Sequence, residues 1–228
     1  MFRRLSRYGG IGLAAVAISM FVAPAAQAQA EQQVLVSKAQ ATLSDFLRDP
    51  EMTWIQKNLR RAKGVLIVPE IVKAGFIIGG SGGRGLLLVH DTATNEWRGP
   101  AFYTLATASV GFQAGVAASE NVTLIMTDKG VNTLMAPSVK LGGDASVAAG
   151  PVGAGAAGDV TTDFVSFARS KGLYGGVNLD GTVISVNNDW NNAYYGKSAL
   201  PPDILVRGTA KNDQAKGLLD AVKAASGK

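Results

Sequence analysis

His90 is the only histidine among 228 residues, and the chain has no cysteine. A metal site built on imidazole and thiolate therefore lacks a ligand set, and no cysteine nucleophile exists. A Ser-His-Asp relay would have to recruit His90 with Asp91 beside it, yet that pair follows Leu86-Leu87-Leu88-Val89 and reads as the polar close of a strand. Two glycine runs, Gly80-Ser81-Gly82-Gly83-Arg84-Gly85 and Gly153-Ala154-Gly155-Ala156-Ala157-Gly158, match the G-x-G-x-x-G spacing of dinucleotide-binding turns. That chemistry needs a helix directly after the glycines, so that its N-terminal N–H groups meet a pyrophosphate. Gly85 leads instead into an apolar run, and Gly158 into Asp159-Val160-Thr161-Thr162, whose β-branched residues suit no helix start. Gly196-Lys197-Ser198 has the ending of a phosphate loop, but Asn191 stands where the loop's first glycine belongs. Asp128, Asp144, Asp159, Asp163 and Asp189 are scattered among Gly and Thr without calcium-loop spacing. These residues read as structural, and no enzyme activity, cofactor or metal is expected.

The glycines must then serve a scaffold. Between Glu31 and Arg48, Leu35, Ala39, Leu43, Phe46 and Leu47 recur at helical spacing, while Lys38, Gln40 and Asp45 fall elsewhere around the turn. Pro50 fits the first turn of a second helix that closes on Arg60, Arg61 and Lys63 before Gly64. From Gly64 onward the pattern turns to short β-rich runs: 65–68, 76–78, 86–89, 122–126, 164–167 and 183–186. Period-2 alternation over 106–118 and again over 139–149 predicts two longer strands, bent where glycine interrupts. The segment 99–119 holds no charged residue. Asp180-Gly181 between Val177-Asn178-Leu179 and Val183-Ile184-Ser185-Val186 predicts a hairpin. After Pro201-Pro202, Asn212 or Asp213 caps a closing helix with Leu218, Leu219 and Val222 on one face. The expected fold is α+β, a single domain with a mostly antiparallel, Gly-rich, barrel-like sheet flanked by N-terminal and C-terminal helices.

The ends and the charge bound the setting. Arg3, Arg4 and Arg7 precede a nearly unbroken apolar run from Ile11 to Ala23, which stops at Pro24. The run is short for a ~30 Å hydrocarbon core and has no basic stop-transfer cluster after it. Residues 1–28 are therefore expected to be a cleaved signal peptide and 29–228 the working domain, with Gln29 first or, by a second cut, Glu31. Arg3-Arg4 leaves both general and twin-arginine export open. With no cysteine to acylate, the product is not a lipoprotein. It is expected to be periplasmic or otherwise exported, held at a membrane only through its folded surface. The chain's 22 Lys and Arg include the three leader arginines, so 19 face 17 acids in the mature domain, a net of +2. That is too little to imply nucleic acid. Alternating uncharged strands also suggest an outer-membrane barrel, but the chain starts and ends in helices and lacks an aromatic terminal strand.

Six segments in order carry a resemblance: Arg61-Ala62-Lys63-Gly64 ahead of Pro69; Lys73-Ala74-Gly75-Phe76 with Gly79-Gly80; Pro100-Ala101-Phe102-Tyr103; Asp144 to Gly153; Ser170-Lys171-Gly172-Leu173-Tyr174; and Asn192-Ala193-Tyr194-Tyr195-Gly196. From about Leu35 to Gly208 the chain resembles the SYLF domain family. The resemblance implies a membrane-lipid-binding module, with phosphoinositides as ligands in eukaryotic members and actin in some fungal ones. An exported protein meets neither, so the implied partner is an anionic phospholipid or membrane surface. The implied lipid-binding set is Lys38, Leu43, Phe46, Leu47, Arg60, Arg61, Lys63, Lys73 and Arg84. The helix bearing Leu43, Phe46 and Leu47 can either lie in a bilayer interface or pack on its own sheet. The alternative function is a structural or protein-interaction module of the periplasm without a lipid ligand.

Overall fold

The computed structural model describes residues 23–75, 78–110, 115–151, 153, 161–170, 173–176 and 179–227. Most of the expected leader lies outside them; the helix α1 begins at Ala23 and runs to Arg48, across both expected cleavage positions. Asp49 caps the turn Pro50–Met52 by accepting from Glu51 N at 2.8 Å, and α2 (Thr53–Asn58) and the turn Leu59–Arg61 complete the second helical stretch. The strands are β1 (Gly64–Gly75), β2 (Ile78–Asp91), β3 (Glu96–Val110), β4 (Gly115–Ile125), β5 (Ser138–Lys140), β6 (Val147–Ala149), β7 (Phe164–Ser170), β8 (Leu173–Gly176) and β9 (Val183–Val186). Three further helices are α3 (Asp128–Thr133), α4 (Asn188–Tyr195) and α5 (Lys216–Ser226), with a π-helical turn over Pro202–Val206.

One curled sheet in the order β5-β9-β3-β2-β1-β4-β7-β6, with β8 also on β7, forms a half-barrel. All pairings are antiparallel except β6 with β7. Both faces are covered near the middle. Val65, Ile67, Leu86, Leu88, Phe102, Val122, Leu124 and Phe167 face α1, α2, α4 and α5, whereas Leu66, Val68, Leu87, Tyr103, Leu105, Ile125 and Phe164 face α3, Ile184 and the Pro202–Val206 turn.

Three expectations are corrected. The alternation over 106–118 is two antiparallel strands, β3 and β4, not one bent strand; its middle, 111–114, lies outside the described residues. The alternation over 139–149 is broken by a turn at Gly142 and Gly143, and β5 and β6 fall at opposite edges of the sheet. Gly142 adopts φ +81, a conformation that costs glycine little and ends the strand. Asp180-Gly181 does turn, with Thr182 N donating to Leu179 O at 3.0 Å, but β9 pairs with β3 and β5 rather than with the preceding segment. Gly79 to Gly83 also has the G-x-S-x-G spacing of a nucleophile elbow. Ser81, however, lies mid-strand between Lys73 and Thr107, not on the sharp strand-to-helix turn that elbow requires.

Pro69 sets the feature that builds the site. Proline has no N–H for a ladder, so in a central strand it demands a bulge. The register of β1 slips between Ile67 and Glu70 against β2, and between Val68 and Ile71 against β4. One extra residue reverses the alternation. Val65 and Ile67 face the helices before the bulge; after it Ile71 joins the opposite core, and Glu70 and Val72 turn to the helical side.

Candidate functional site: an amphipathic groove beside the first helix

The helix α1 crosses the sheet, one strand after another. Asp45 pairs with Arg169 of β7 at 3.0 Å, Thr42 Oγ1 donates to Glu120 of β4 at 3.1 Å, and Lys38 pairs with Glu70 of β1 at 3.3 Å. Leu35, Val34 and Glu31 then reach Arg84 of β2 and Thr104 of β3 across a groove. Three or four residues of helix rise about 5 Å, close to the strand spacing of about 4.8 Å, so each step along the stripe meets the next strand. On the sheet the partners form one cross-strand row: Arg169 opposite Glu120, then Glu70 of the bulge opposite Arg84, and Arg84 opposite Thr104. Arg169 is also bonded to Glu120.

This polar row divides the helical face of the sheet. On one side lie the apolar side chains buried beneath the helices. On the other, the strands carry small or apolar residues: exposed Val72, Gly80, Gly82, Ala106, Ala108 and Ala118. Where the row meets the first half of α1 there is a groove of about 930 Å³. One wall is Ala30, Glu31, Val34, Leu35 and Lys38, the other Thr104, Leu105, Ala106 and Trp190, and Val72, Gly82 and Gly83 lie between. Val34 is 56% exposed and Val72 42%, unusual for apolar residues flanking an otherwise sealed core. Gly83 keeps the strands close, since a Cβ there would stand 2.5 Å from Glu70 O, whereas a Cβ at Gly82 would meet only Leu105 O at 3.5 Å. Room above Gly82 is therefore real space.

Charge in the groove is uneven. Lys38 is engaged by Glu70. The Arg84 guanidinium lies 4.5 Å from the Trp190 ring centre, a cation–π contact, and forms no ion pair among the described residues. Trp190 is positioned by α4, whose cap Asn187 accepts from Trp190 N at 3.1 Å.

The nine expected lipid-binding residues separate into three groups. Lys38 and Arg84 come together in the groove. Leu43 and Phe46 are wholly buried in the core under α1, and Leu47 packs against that core partly buried, so this stripe of the helix faces the sheet and no bilayer. The remaining cations do not join them. Arg60 and Arg61 are exposed on the turn before β1, Lys63 pairs with Asp128 at 3.5 Å, and Lys73 is exposed on the opposite face of β1 beside Ser81 and Thr107. Val34, Val72 and Trp190 were not anticipated. Pro69 inside a β-run was the signal that could have turned Val72 toward the helix.

No helix among the described residues is long and apolar enough to cross a membrane. The geometry defines a class: an α+β half-barrel with helices over one face and an open amphipathic groove beside its first helix. The chain belongs to the Ysc84 (SYLF) family, whose model, described as "Las17-binding protein actin regulator", matches residues 106–225. It is 32% identical over 154 residues to Protein YSC84 of Saccharomyces cerevisiae, covering 64% of this chain and 32% of the relative. It is 28% identical over 167 residues to human SH3 domain-containing YSC84-like protein 1, covering 71% of this chain and 48% of the relative. LAS seventeen-binding protein 3 of Saccharomyces cerevisiae is 32% identical over 155 residues, 64% of this chain and 33% of the relative. The chain thus spans about a third to a half of the length of these relatives. No solved structure matches it significantly.

Proposed function

We propose that this chain is a non-enzymatic module of the cell envelope that binds anionic phospholipid surfaces. The observation that carries the reading is the uncovered half of the helical face: Val34 and Val72 exposed on either side of the groove, small uncharged residues beyond them, and Arg84 at the boundary. An apolar patch edged by a cation suits the level of a lipid head group, where the patch leaves water and the cation meets phosphate. With Leu43 and Phe46 in the core, the contact surface is the groove side of α1 with the distal strands. The apolar run at Ile11 to Ala23, read as an export signal, supports a setting outside the cytoplasm.

Sedimentation with phosphatidylglycerol vesicles at low salt tests this. The protein is expected to pellet with the vesicles, and the pair Val34→Asp and Val72→Asp to keep it in the supernatant with unfolding unchanged. Equal recovery in the supernatant with and without vesicles would remove the reading. The family description favours a second one, a protein-interaction module. Crosslinking in cells that captures protein partners, together with no vesicle binding, would select it.

A further inference from the structure

The groove offers more room than surface docking needs. Its volume of about 930 Å³ lies within the ~300–1,000 Å³ range of small-molecule sites. Its glycine at position 82 leaves space at the floor, its walls supply Leu35, Val34, Val72 and the Trp190 ring, and its acids are Glu31 and the already engaged Glu70. A single guanidinium without a carboxylate partner, among the described residues, stands at Trp190. We propose that the groove binds one acyl chain of a single-chain anionic amphiphile, with the chain along Val34, Val72 and Gly82 and the head group on Arg84. This rests on the lipid reading of the same face, but adds a stoichiometric site for a monomeric ligand.

Charge complementarity selects the occupant. Arginine presents a planar fork of donors that matches a carboxylate or phosphate, and its stacking on Trp190 fixes the direction of that fork. The apolar walls exclude a purely polar anion, and the free cation disfavours a neutral hydrocarbon. A fatty-acid carboxylate is the simplest molecule with both parts, and it is the probe.

Trp190 allows a local readout, because Trp54 and Trp97 are only 2% and 6% exposed whereas Trp190 lines the groove. Below its micelle concentration, 11-bromoundecanoate is expected to quench the intrinsic fluorescence of the purified protein saturably, at one site per chain. Trp190→Phe should abolish that quenching. Arg84→Gln should weaken binding about tenfold, the usual scale for losing one charge-assisted hydrogen bond, and leave the weaker binding of the uncharged methyl ester unchanged. Gly82→Leu fills the floor and should abolish binding of both, with the unfolding transition showing that the variant is folded. The proposal is overturned if quenching is unsaturable, persists in Trp190→Phe, or is indifferent to Arg84→Gln. If vesicles pellet the protein but the monomer shows no saturable quenching, this inference fails and surface binding stands. Saturable quenching without vesicle pelleting would do the opposite, keeping the groove site and removing surface binding.

Discussion

At the scale of single residues, Asp163 holds the most consequential polar contacts outside the groove. Its carboxylate accepts from Thr127 Oγ1 at 2.6 Å, from Ser146 N at 3.1 Å and Oγ at 2.9 Å, and from Lys129 Nζ at 3.2 Å. It therefore ties the cap of α3 to the segment leading into β6. Burial works against the charged form and would raise its pKa; the donors outweigh that and hold it well below the ordinary carboxylate value. A group whose pKa is depressed by folding stabilises the fold above its unfolded value, near pH 4, and loses that contribution as pH falls further. Asp163→Asn should cost about 2 kcal/mol at pH 7 in urea unfolding and flatten the loss of stability below pH 4. An acid limb as steep as that of the parent would refute the assignment. Gly150 offers a steric counterpart. A Cβ there would stand 2.0 Å from Cζ of the buried Phe167 ring, so Gly150→Ala should cost about 1–3 kcal/mol, read by the same unfolding.

At the scale of elements, α1 has two halves with different duties. Phe46 is fully buried, and Phe46→Ala should destabilise by about 3–5 kcal/mol. Val34→Ser, on the same helix but 56% exposed, should move stability by about 0.5 kcal/mol or less. Thermal unfolding of the two variants checks the division, and equal losses would refute it. The helical stripe of Leu35, Ala39, Leu43 and Phe46 was legible because a period of 3.6 is a local signal; which object the stripe faces was not, because sheet and bilayer are equally apolar. Val65 to Val68, Leu86 to Val89 and Phe164 to Phe167 were legible as strands for the same local reason. Their order in the sheet was not, since β9 finds β3 and β5 through pairings that no short spacing encodes. The short helices α3 and α4 left no periodic signal, because six and eight residues hold too few turns. Their caps, Thr127 and Asn187, were the available clue. Of the expected site, only Lys38 and Arg84 are brought together; cations are readable in a sequence, but their facing depends on a one-residue bulge at Pro69.

At the scale of the whole molecule, cover is uneven because of the chain's own order: helices from both ends seal one half of the sheet's helical face and leave the other half open. Export is the companion expectation. N-terminal sequencing of the protein from an envelope fraction should begin at Gln29 or Glu31, whereas a cytoplasmic product beginning at Met1 would contradict it. Either cut trims α1 without reaching Lys38, Thr42 or Asp45, the side chains that fasten it to the sheet. The fastening of α1 also reaches far along the chain: Gln33 Nε2 donates to Gln214 O across 181 positions, and Asp45 meets Arg169 across 124. At ribosomal rates of ~5–20 residues per second, the stretch between the first pair takes on the order of 10–40 seconds to appear. For that interval the helix has its partners at Glu70 and Glu120 but not those at the far end of the chain. Vectorial synthesis thus leaves the seat of the first helix unfinished until the final residues of the chain have been made.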